Sequence, residues 1–489
     1  MLQEAFKRYY GILVSSSRHE PATSNVKTTG GNSLGYMDSL SVNLSSPCEG
    51  RPHVGMTESY QLEVSKDGAF LSSESVWGIL RGLETFVQTV TLAADGSELI
   101  IKESSTTDSP RYPHRGLLLD TSRHYLPMSS ILRTLDAMEA SKMNVFHWHI
   151  VDDQAFPYQS EKFPDLSYKG AYDPRTHVYT RVDIENIIEY ARLRGIRVIP
   201  EFDTPGHTRS WGQGREGLLT TCYKYNNQGE VVPDGSYGPI DPTKPETFDF
   251  LEQFFEEAIL LFPDEYIHLG GDEVNFECWK SNPAINDYMN ANNLTGDYAG
   301  LEEYYVQTLV DKLKKFNVSN IVWQEVFDNG VKIDPNTVVQ VWIESDSKNE
   351  MSRVTAEGHP VLLSSCWYLS SIASGGDWKK FYSCDPDEFP GTAEQKKLVQ
   401  GGEACMWGEY VDWSNVESRV WPRACAIAEK LWTSPEAFKT DSKFKSDGAS
   451  SYDIKDVEAR LEEHRCRLLR RGIQAQPPNE AGFCPGEHW

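Results

Sequence analysis

After residue 108 the chain alternates between short apolar runs and longer segments with helical spacing. The eight apolar runs are Gly116–Asp120, Val145–Asp153, Arg197–Asp203, Tyr266–Glu273, Ile321–Phe327, Val338–Trp342, Pro360–Leu369 and Val399–Glu409. Clear helices between them are predicted over Ser129–Met143, Val182–Leu193, Glu246–Phe262 and Leu301–Phe316. These alternations predict a closed (β/α)8 TIM barrel of the α/β class. An open doubly wound sheet is the alternative, but no GxGxxG loop follows the first run, so the barrel is favoured.

The first 108 residues have a different pattern, which predicts a small α+β unit. Its predicted elements are a helix over residues 1–14, a strand over Tyr60–Ser65, a helix over Glu74–Val90 and a strand over Glu98–Glu103. The sequence SPRYP at residues 109–113 is typical of a hinge. We therefore predict two domains, residues 1–108 and a barrel over residues 109–489 that ends in a charged amphipathic helix from Asp453 to Arg471.

The composition disfavours several classes of function. A formal net charge of −25 disfavours nucleic acid and anionic membranes as partners, because both carry negative charge. No apolar run is long enough to span a bilayer, so membrane insertion is not expected. The nine cysteines include no CxxC pair, which disfavours a zinc knot or a redox motif. Together with N-x-[ST] glycosylation sequons at Asn43, Asn293 and Asn317, the cysteines favour a secreted or lysosomal protein.

Polar and aromatic residues stand at or just after the ends of the predicted strands. In chain order they are Arg123, His147, His149, Asp152, Asp153, Glu201, Asp203, His207, Asp272, Glu273, Trp323, Glu325, Trp342, Glu344, Trp367, Tyr368, Trp407 and Glu409. Barrel enzymes carry their chemistry at the C-terminal ends of the strands. A purely structural core would not collect such residues at corresponding points, so the pattern predicts a catalytic site.

The adjacent acids Asp272 and Glu273 follow an apolar stretch and the glycine pair Gly270–Gly271. Neighbours in a regular strand point to opposite faces. Both acids can therefore reach one site only if the strand ends here, which the two glycines permit. Such a pair indicates acid-catalysed hydrolysis, and a loop pair that caps the next helix is the structural alternative.

Five motifs in a fixed order carry a family resemblance. They are NVFHWHIVDD at 144–153, EFDTPGH at 201–207, HLGGDEV at 268–274, WQEVFDN at 323–329 and GGEACMWGEY at 401–410. Together they strongly resemble the β-N-acetylhexosaminidases of glycoside hydrolase family 20, and the similarity looks closest to the animal lysosomal enzymes. The resemblance implies an exo-glycosidase that needs no cofactor or metal. It would release terminal β-linked N-acetylglucosamine or N-acetylgalactosamine from oligosaccharides, glycoproteins or glycolipids, with the substrate's own acetamido oxygen as the nucleophile.

The resemblance also implies a role for each site residue. Glu273 would be the general acid and then the base, while Asp272 would orient the acetamide and balance its charge. Tyr368 would donate to the acetamido oxygen, and Asp152 with His207 would support Glu273. The substrate-binding residues would be Trp323, Trp342 and Trp407 as walls, with Arg123 and Glu409 on the sugar hydroxyls. The walls are expected to exclude water and to raise the pKa of the catalytic acid.

The cysteines match the family in part. The resemblance implies the disulfides Cys222–Cys278 and Cys466–Cys484, and it places the partner of Cys48 upstream of residue 1. We therefore expect a truncated N-terminus or a variant isoform, with Cys48 unpaired. Four further cysteines are expected to be free buried thiols, namely Cys366, Cys384, Cys405 and Cys425. The resemblance also implies a homo- or heterodimer, whereas Ser370-Ser371 leaves the preference for charged or sulfated substrates open.

Two other functions are compatible with parts of the sequence. A metal-dependent barrel hydrolase could use zinc ligands drawn from His147, His149, Asp152, Asp153 and His207. It is disfavoured because metal barrels of the HxH type place that pair on the first strand. A catalytically silent sugar-binding relative is the other alternative, but such a protein has little reason to keep Asp272, Glu273 and Tyr368 together.

Overall fold

The computed structural model describes residues 1–16, 35–92, 99–371, 376–435 and 454–484. Eight parallel strands form a closed barrel in which each strand pairs with the next and the eighth pairs with the first. In order they are His114–Asp120, Val145–Val151, Arg197–Phe202, Tyr266–His268, Ser319–Trp323, Val338–Val341, Val361–Leu363 and Val399–Met406. The predicted (β/α)8 barrel is confirmed. We call these strands barrel strands 1 to 8.

The barrel strands are buried on both faces, which explains why they read as continuous runs in the sequence. Every residue of strands 1, 2 and 3 is buried. Several predicted runs continue beyond their strands. Strand 4 ends at His268 because Gly270 and Gly271 take φ values of 71° and 95°, outside the extended region. A Cβ on Gly270 would lie 1.8 Å from Asp203 Oδ1, so only glycine fits.

Helices surround the barrel. The principal ones are Met128–Ala140, Arg181–Arg192, Pro245–Leu261, Tyr298–Leu313, Ser347–Ala356 and Arg423–Trp432. Shorter helices are Asp165–Gly170, Arg209–Gly214, Phe276–Ser281, Pro283–Ala291, Gln324–Asp328, Trp378–Ser383, Ala393–Lys396 and Val416–Val420, with 3-10 turns at Lys314–Phe316 and Glu344–Asp346. The four helices predicted from periodicity are all present. Thr180 and Asp183 form a reciprocal capping box at the start of one of them.

The N-terminal unit is a mixed sheet with helices. Helix Leu2–Ser16 precedes a sheet whose strands lie in the order Leu40–Leu44, Gly68–Ser73, Tyr60–Ser65 and Ser104–Asp108, and helix Val76–Thr89 packs on it. Thr91–Leu92 pairs with Leu99–Ile100. The predicted strand over Glu98–Glu103 is confirmed only at Leu99–Ile100, since residues 101–103 are not extended in a strand and Glu98 lies outside the described residues. Periodicity missed the polar Ser104–Asp108, which is held at the sheet edge by its pairing with Tyr60–Ser65.

Buried ion pairs join this unit to the barrel. Glu58 accepts from Arg81 of helix Val76–Thr89 at 2.8 Å and from Arg115 of barrel strand 1 at 2.7 Å. The guanidinium of Arg81 also donates to two barrel carbonyls, those of Arg194 and Gly195. Both arginines lower the pKa of Glu58 against the opposing effect of burial. Removing one partner would leave an uncompensated buried charge, so this contact fixes how the units meet.

The C-terminal helix Ile454–Arg470 packs on the barrel core through Val457, Leu461 and Leu468. This agrees with the predicted helix, whose first residue, Asp453, lies outside the described residues. Arg471 then donates to Glu84 of the N-terminal unit at 2.8 Å. In the described residues no helix is long and apolar enough to cross a membrane. All three sequon asparagines are exposed.

Three disulfides are present. Cys222–Cys278 and Cys466–Cys484 agree with the pairs that the resemblance implied. The third, Cys366–Cys384, corrects the expectation that both residues are free thiols. This disulfide forms because helix Trp378–Ser383, which follows strand 7, runs back toward the end of that strand. The Cα atoms of Cys366 and Cys384 are therefore only 6.5 Å apart. Among the described residues Cys48, Cys405 and Cys425 are unbonded, as expected.

Sequence periodicity also missed a hairpin formed by Leu219–Tyr225 and Val231–Ile240. Cys222 of this hairpin bonds to Cys278, which lies on the short helix that follows the adjacent acids. The disulfide therefore ties the loop after strand 3 to the loop after strand 4.

Candidate active site

The loop after strand 4 turns both adjacent acids toward one site. The Gly271 N–H donates to Asp203 Oδ1 at 2.8 Å, which fixes the loop against strand 3. Asp272 is buried, whereas the Glu273 side chain is 60% exposed and its backbone has the left-handed φ of 51°. A left-handed conformation costs a residue with a side chain on the order of 1 kcal/mol. This strained turn lets sequence neighbours share a site, which an extended strand would forbid.

His207 lies between the two acids and a third carboxylate. Its Nδ1 is 3.2 Å from Asp152 Oδ1, and its Nε2 is 3.6 Å from Glu273 Oε2 and 3.8 Å from Asp272 Oδ2. The loop after strand 3 presents this ring with a left-handed φ of 54°. Burial opposes the charge, but the surrounding carboxylates raise the pKa of His207 far above its ordinary value. The ring is therefore a cation that faces both acids.

Asp152 is the fixed end of this pair. Its Oδ2 accepts from His149 Nε2 at 2.8 Å and lies 2.9 Å from the Arg123 guanidinium. Its Oδ1 accepts from the Asp153 backbone N–H at 2.5 Å and also faces His207. These contacts outweigh burial and hold the pKa of Asp152 below its ordinary value. Asp152 is therefore ionised and fixes the orientation of His207.

Asp272 keeps one acceptor oxygen available. Its Oδ1 is buried and has no hydrogen-bond partner among the described residues. Burial raises the pKa of Asp272, although the nearby His207 lowers it. Neighbouring Asp203 has its pKa raised much further, by burial and then by the charge of Asp272. We therefore assign the proton of this carboxyl pair to Asp203, which leaves Asp272 as the charged acceptor.

Aromatic rings line the site beside the acids. Trp323, Trp407 and Tyr368 lie in one cluster, with ring centroids 6.0 Å apart for the two indoles and 6.3 Å apart for Tyr368 and Trp407. Trp342 stacks on Tyr368 at 6.0 Å. Burial raises the pKa of Tyr368 well above its ordinary value, so its hydroxyl keeps its proton.

Two indole N–H groups are anchored by carboxylates. Trp323 Nε1 donates to Glu201 Oε1 at 2.7 Å, and Trp342 Nε1 donates to Glu325 Oε2 at 2.8 Å. Burial and the charge of Asp272 raise the pKa of Glu325 to about 7. Glu325 is one of the strand-end residues for which the sequence predicts no role, and the structure shows that it orients an aromatic wall.

Arg123 is held at the edge of the aromatic cluster. Its guanidinium contacts Asp120, Asp152 and Gln154 at 2.9, 2.9 and 3.1 Å, and it lies over the Trp407 ring at 5.1 Å. The exposed Glu409 lies near enough for its charge to help raise the pKa of Arg123. These contacts fix the direction of the guanidinium at the rim of the site.

The structure leaves three of the strand-end residues outside this cluster. Trp367 is fully buried and donates to the Phe381 carbonyl, so it packs behind strand 7. Asp153 accepts from the Arg209 backbone N–H, which gives it a loop-fixing role. Glu344 is exposed and paired with Lys380. Strand-end position alone did not separate these residues from those in the site.

The predicted raised pKa of Glu273 is wrong for the site as the structure describes it. The pKa is lowered, first by the His207 imidazole, whose Nε2 lies 3.6 Å from the carboxylate, and the charge of Arg123 adds to the effect. Partial burial opposes this shift but does not overcome it, because the side chain is largely exposed. The sequence showed the aromatic walls, but it could not show that the His207 cation would stand 3.6 Å from the carboxylate.

The residues proposed for zinc converge only in part: Asp152 and His207 lie with Asp203 in a group whose possible ligand atoms are within 4.8 Å of one another, but Asp152 and His207 already contact each other and Asp152 accepts from His149. His149 contacts a carboxylate through each ring nitrogen, Glu201 at 2.7 Å and Asp152 at 2.8 Å. The rings of His147 and His268 stack at 4.6 Å with an interplanar angle of 25°, so their in-plane lone pairs run nearly parallel. Lone pairs that bind one ion must point at a common centre. The arrangement therefore favours ion pairs over the metal-dependent alternative.

Comparisons with known proteins agree with this geometry. Residues 112–435 match the catalytic domain of glycosyl hydrolase family 20, and residues 1–89 match a domain described as beta-acetyl hexosaminidase like. The chain is 50% identical to the human beta-hexosaminidase subunit beta over 490 residues, all of this chain and 83% of the relative. It is also 50% identical to the rat subunit alpha over 491 residues, all of this chain and 88% of the relative.

Solved structures give the same result. A chitobiase from Flavobacterium johnsoniae superimposes with a TM-score of 0.78 at 29% identity, covering 96% of this chain and 68% of that chain. An exo beta-N-acetylglucosaminidase from Vibrio harveyi, in complex with N-acetylglucosamine, superimposes with a TM-score of 0.73 at 25% identity, covering 90% and 69%. With the family match over the whole barrel and the adjacent acids in place, the chain belongs to glycosyl hydrolase family 20.

Proposed function

We propose that this chain is an exo-acting β-N-acetylhexosaminidase that removes terminal, non-reducing β-linked N-acetylglucosamine or N-acetylgalactosamine. The observation that carries the proposal is that Asp272 and Glu273 both face His207 at one site. In a two-carboxylate retaining site the acids flank the sugar from opposite faces, about 5 Å apart. Adjacent acids on one side of the sugar suit a different mechanism, in which one acid donates a proton, the other holds the acetamide, and the substrate supplies its own nucleophile.

Glu273 acts as the general acid and then as the base. Its exposed carboxyl can reach a leaving oxygen, and His207 stands within 3.6 Å of it. A sugar in the site would cover Glu273 and remove water from it, which raises its pKa in the complex. Asp152 keeps the imidazole oriented as the proton moves to the leaving group. The same carboxylate then takes a proton from the attacking water.

Asp272 and Tyr368 hold the acetamide. The Asp272 carboxylate suits the acetamide N–H, which gains positive charge as its oxygen attacks the anomeric carbon. The protonated Tyr368 hydroxyl is a donor for that oxygen. Trp323, Trp342 and Trp407 form the apolar walls around the acetamide and the sugar face. Arg123 and Glu409 bind sugar hydroxyls at the rim.

A hydrolysis panel tests the proposed activity. It compares chromogenic β-N-acetylglucosaminide, β-N-acetylgalactosaminide, the 6-sulfated form and a plain β-glucoside. We expect turnover of the first two, and a rate lower by orders of magnitude on the glucoside because its 2-hydroxyl cannot act as the intramolecular nucleophile. Equal rates on the glucoside and the acetamido sugars would contradict the proposal. Binding without turnover would favour the silent sugar-binding relative, and activity lost to a chelator would favour the metal-dependent alternative.

A second experiment tests the nucleophile. Fluorination of the acetyl group should slow the reaction progressively, because each fluorine weakens the carbonyl oxygen as a nucleophile. A thiazoline mimic of the cyclic intermediate should inhibit strongly, and Asp272→Asn should weaken that inhibition. A sugar trapped covalently on Asp272, Glu273 or Glu409 by mass spectrometry would contradict substrate assistance.

We also propose a setting for the enzyme. Disulfides and exposed sequons support a lysosomal or secreted glycoprotein with glycans on Asn43, Asn293 and Asn317. The names of the relatives as subunits support a homo- or heterodimer. Oligosaccharides, glycoproteins or glycolipids are the proposed substrates, and the division at residues 108 and 109 is the proposed domain boundary. Intact mass before and after deglycosylation, and the mass in solution, would check the glycans and the dimer.

A further inference from the structure

A chain of buried charges runs down the inside of the barrel from the active site. It consists of His149, Glu201, His147 and Glu403, and we call these four residues the barrel relay. They lie on strands 2, 3 and 8, and each is 0–1% exposed. None of these four residues has a role in the proposed mechanism, which uses the Asp152–His207 pair at the end of the relay nearest the active site. Unpaired charges at such depth are strongly unfavourable, so this arrangement needs a physical account.

The contacts of the relay are continuous. Glu403 lies 2.7 Å from His147 Nδ1, and His147 Nε2 lies 2.9 Å from Glu201 Oε2 in an ion-pair contact that is poorly directed for a hydrogen bond. The same Glu201 oxygen is 2.7 Å from His149 Nδ1. His149 Nε2 then lies 2.8 Å from Asp152, whose other oxygen faces His207. Carboxylates and imidazoles thus alternate without a gap from mid-barrel to the catalytic acid.

The geometry fixes the protonation of the relay histidines. An imidazole that is hydrogen-bonded to an ionised carboxylate through each ring nitrogen must donate from both, because an ionised carboxylate is an acceptor only. His149 meets this condition between Glu201 and Asp152, so its ring is imidazolium, and the carboxylates raise its pKa well above its ordinary value. His147 donates to Glu403 through Nδ1, while its Nε2 faces the Glu201 carboxylate at 2.9 Å without a directed hydrogen bond. The charges of both carboxylates raise the pKa of His147 to about 9 against the effect of burial, so this ring is imidazolium as well.

Neighbouring groups end the relay without adding charge. His268 stacks on His147 but accepts the Gly270 N–H through Nδ1, so it is neutral, and burial lowers its pKa to about 3. His114 donates to Glu403 at 2.6 Å, and burial lowers its pKa as well. Gln340 also donates to Glu403. From the other strands and loops Arg123, Asp203 and Asp272 face the upper end of the relay.

We propose that the barrel relay is a positioning element for catalysis, which holds Asp152 in place and contributes the positive charge of His149 to the field at Glu273. This inference rests on the proposed function for its catalytic consequence. The groups that face Glu273 directly are His207, Arg123, Asp152, Asp272 and Glu325. Of these, Asp152 is bonded to the relay, so a change at His149 is transmitted by contact and by charge.

The first test measures the charge state and does not depend on activity. Ring nitrogens of the 15N-histidine-labelled full chain are observed at pH 7.5, with assignment by single His→Gln variants. We expect His147 and His149 to carry protons on both nitrogens. Glu403→Gln should make His147 neutral, because burial then dominates its pKa, while His149 stays doubly protonated. A neutral His149 in the unmodified chain would overturn the proposal, even in a chain that hydrolyses no sugar.

The second test measures function. His149→Gln removes one buried positive charge, so the pKa of Glu273 should rise and the alkaline limb of kcat/KM should move upward by about one pH unit. kcat should fall about 10-fold or more because Asp152 loses an anchor, as is typical when supporting hydrogen bonds are removed. His464→Gln is the control, since this half-buried histidine lies away from the relay and is hydrogen-bonded to Ser141.

The outcomes separate the possible roles. A purely structural role predicts that His149→Gln and His464→Gln both lower thermal stability and leave the pH profile in place, which would contradict the proposal. If His149→Gln does not fold, the nitrogen spectra of the unmodified chain and of Glu403→Gln test the proposal, because they report whether His147 and His149 are doubly protonated. Failure of the unmodified chain on every hexosaminide in the panel would overturn the proposed function, whereas a neutral His149 in an active enzyme would overturn only the relay.

Discussion

Two layers inside the same barrel differ in almost every physical property. The base layer consists of Val145, Ile199, Ile321, Val338 and Leu362, which pack together and are 0–3% exposed. Above it lie the barrel relay and then the catalytic layer, which we define as Asp152, His207, Asp272, Glu273, Tyr368 and the three site tryptophans. Strands that look alike in the sequence therefore supply an apolar plug at one end and a dense set of charges at the other.

The contrast between the two layers indicates that residues which stabilise the barrel and residues which carry out its chemistry lie at different depths. The base layer makes no demand on protonation and tolerates only changes that preserve volume. The upper layers contain paired charges, left-handed residues at His207 and Glu273, and the buried carboxyl pair of Asp203 and Asp272. Such features destabilise a fold unless other contacts offset them, and they are typical of sites built for chemistry. The following predictions test this separation.

Loss of the proton donor should have the largest effect. Glu273→Gln keeps the shape of the side chain but cannot transfer a proton, so kcat should fall about 10²–10⁴-fold while binding survives. The loss should be smaller for substrates with good leaving groups, which need less protonation. Steady-state kinetics on a leaving-group series measures this. Glu277→Gln, an exposed change on the next helix, is the control, and an equal loss for all leaving groups would contradict the role.

Loss of the acetamide acceptor should come next. Asp272→Asn replaces a charge with an amide of the same size, so kcat should fall about 10²–10³-fold, as for other groups that stabilise developing charge. Thermal stability should stay the same or rise, because a buried carboxylate whose pKa is raised by burial is neutralised. Kinetics together with a melting curve measures both effects. Reduced stability with unchanged turnover would make Asp272 a structural residue.

A change in the base layer should lower stability and leave turnover almost unchanged. Ile321→Ala removes buried methyl groups from the plug and should lower the free energy of unfolding by about 2–5 kcal/mol. Turnover per folded molecule should stay within about twofold at a temperature where the variant is folded. Denaturant unfolding and active-site titration measure the two quantities. A large fall in turnover of the folded enzyme would show that the layers are coupled.

The disulfide beside the catalytic loop should contribute less. Replacing Cys222 and Cys278 together by Ser opens a link with a sequence separation of 56 and should lower stability by about 2–4 kcal/mol. The matched control replaces Cys466 and Cys484, whose separation is 18 and which join the C-terminal helix to the segment after it, and should cost about 1 kcal/mol less by the loop-length rule. Unfolding measurements compare the two. KM should rise only in the first variant, whose disulfide ties the loops around the acids.

The smallest expected effect is a displacement between two pH profiles. In the free site the pKa of Glu273 is lowered and that of Asp272 is raised, yet catalysis needs Glu273 protonated and Asp272 charged. Activity should therefore peak in acid and fall as pH rises through the pKa of Glu273. A bound sugar covers Glu273 and raises that pKa, so the alkaline limb of kcat should lie about one pH unit above that of kcat/KM. Coincident limbs, or a peak above neutrality, would contradict this reading.

Prediction from the sequence succeeded where the signal was local. The barrel, its order of strands and the four clear helices followed from apolar runs and helical spacing, and the fold comparison confirms them. The family and the class of enzyme followed from motifs in a fixed order, and the comparisons confirm these as well. The strand Ser104–Asp108 was missed because an edge strand needs few apolar residues. The bond between Cys366 and Cys384 was missed because pairing depends on where a loop returns.

The barrel, the family and the position of the acids after strand 4 can be predicted from the sequence, because apolar periodicity and the Gly270–Gly271 pair act on neighbouring residues. The electrostatics of the site depend on contacts between distant parts of the chain. The pKa of Glu273 depends on His207, which is 66 positions away in the chain but 3.6 Å away in space. The barrel relay likewise joins Glu201 and Glu403 through His147. Charges interact through distance and burial, and closure of the barrel sets both.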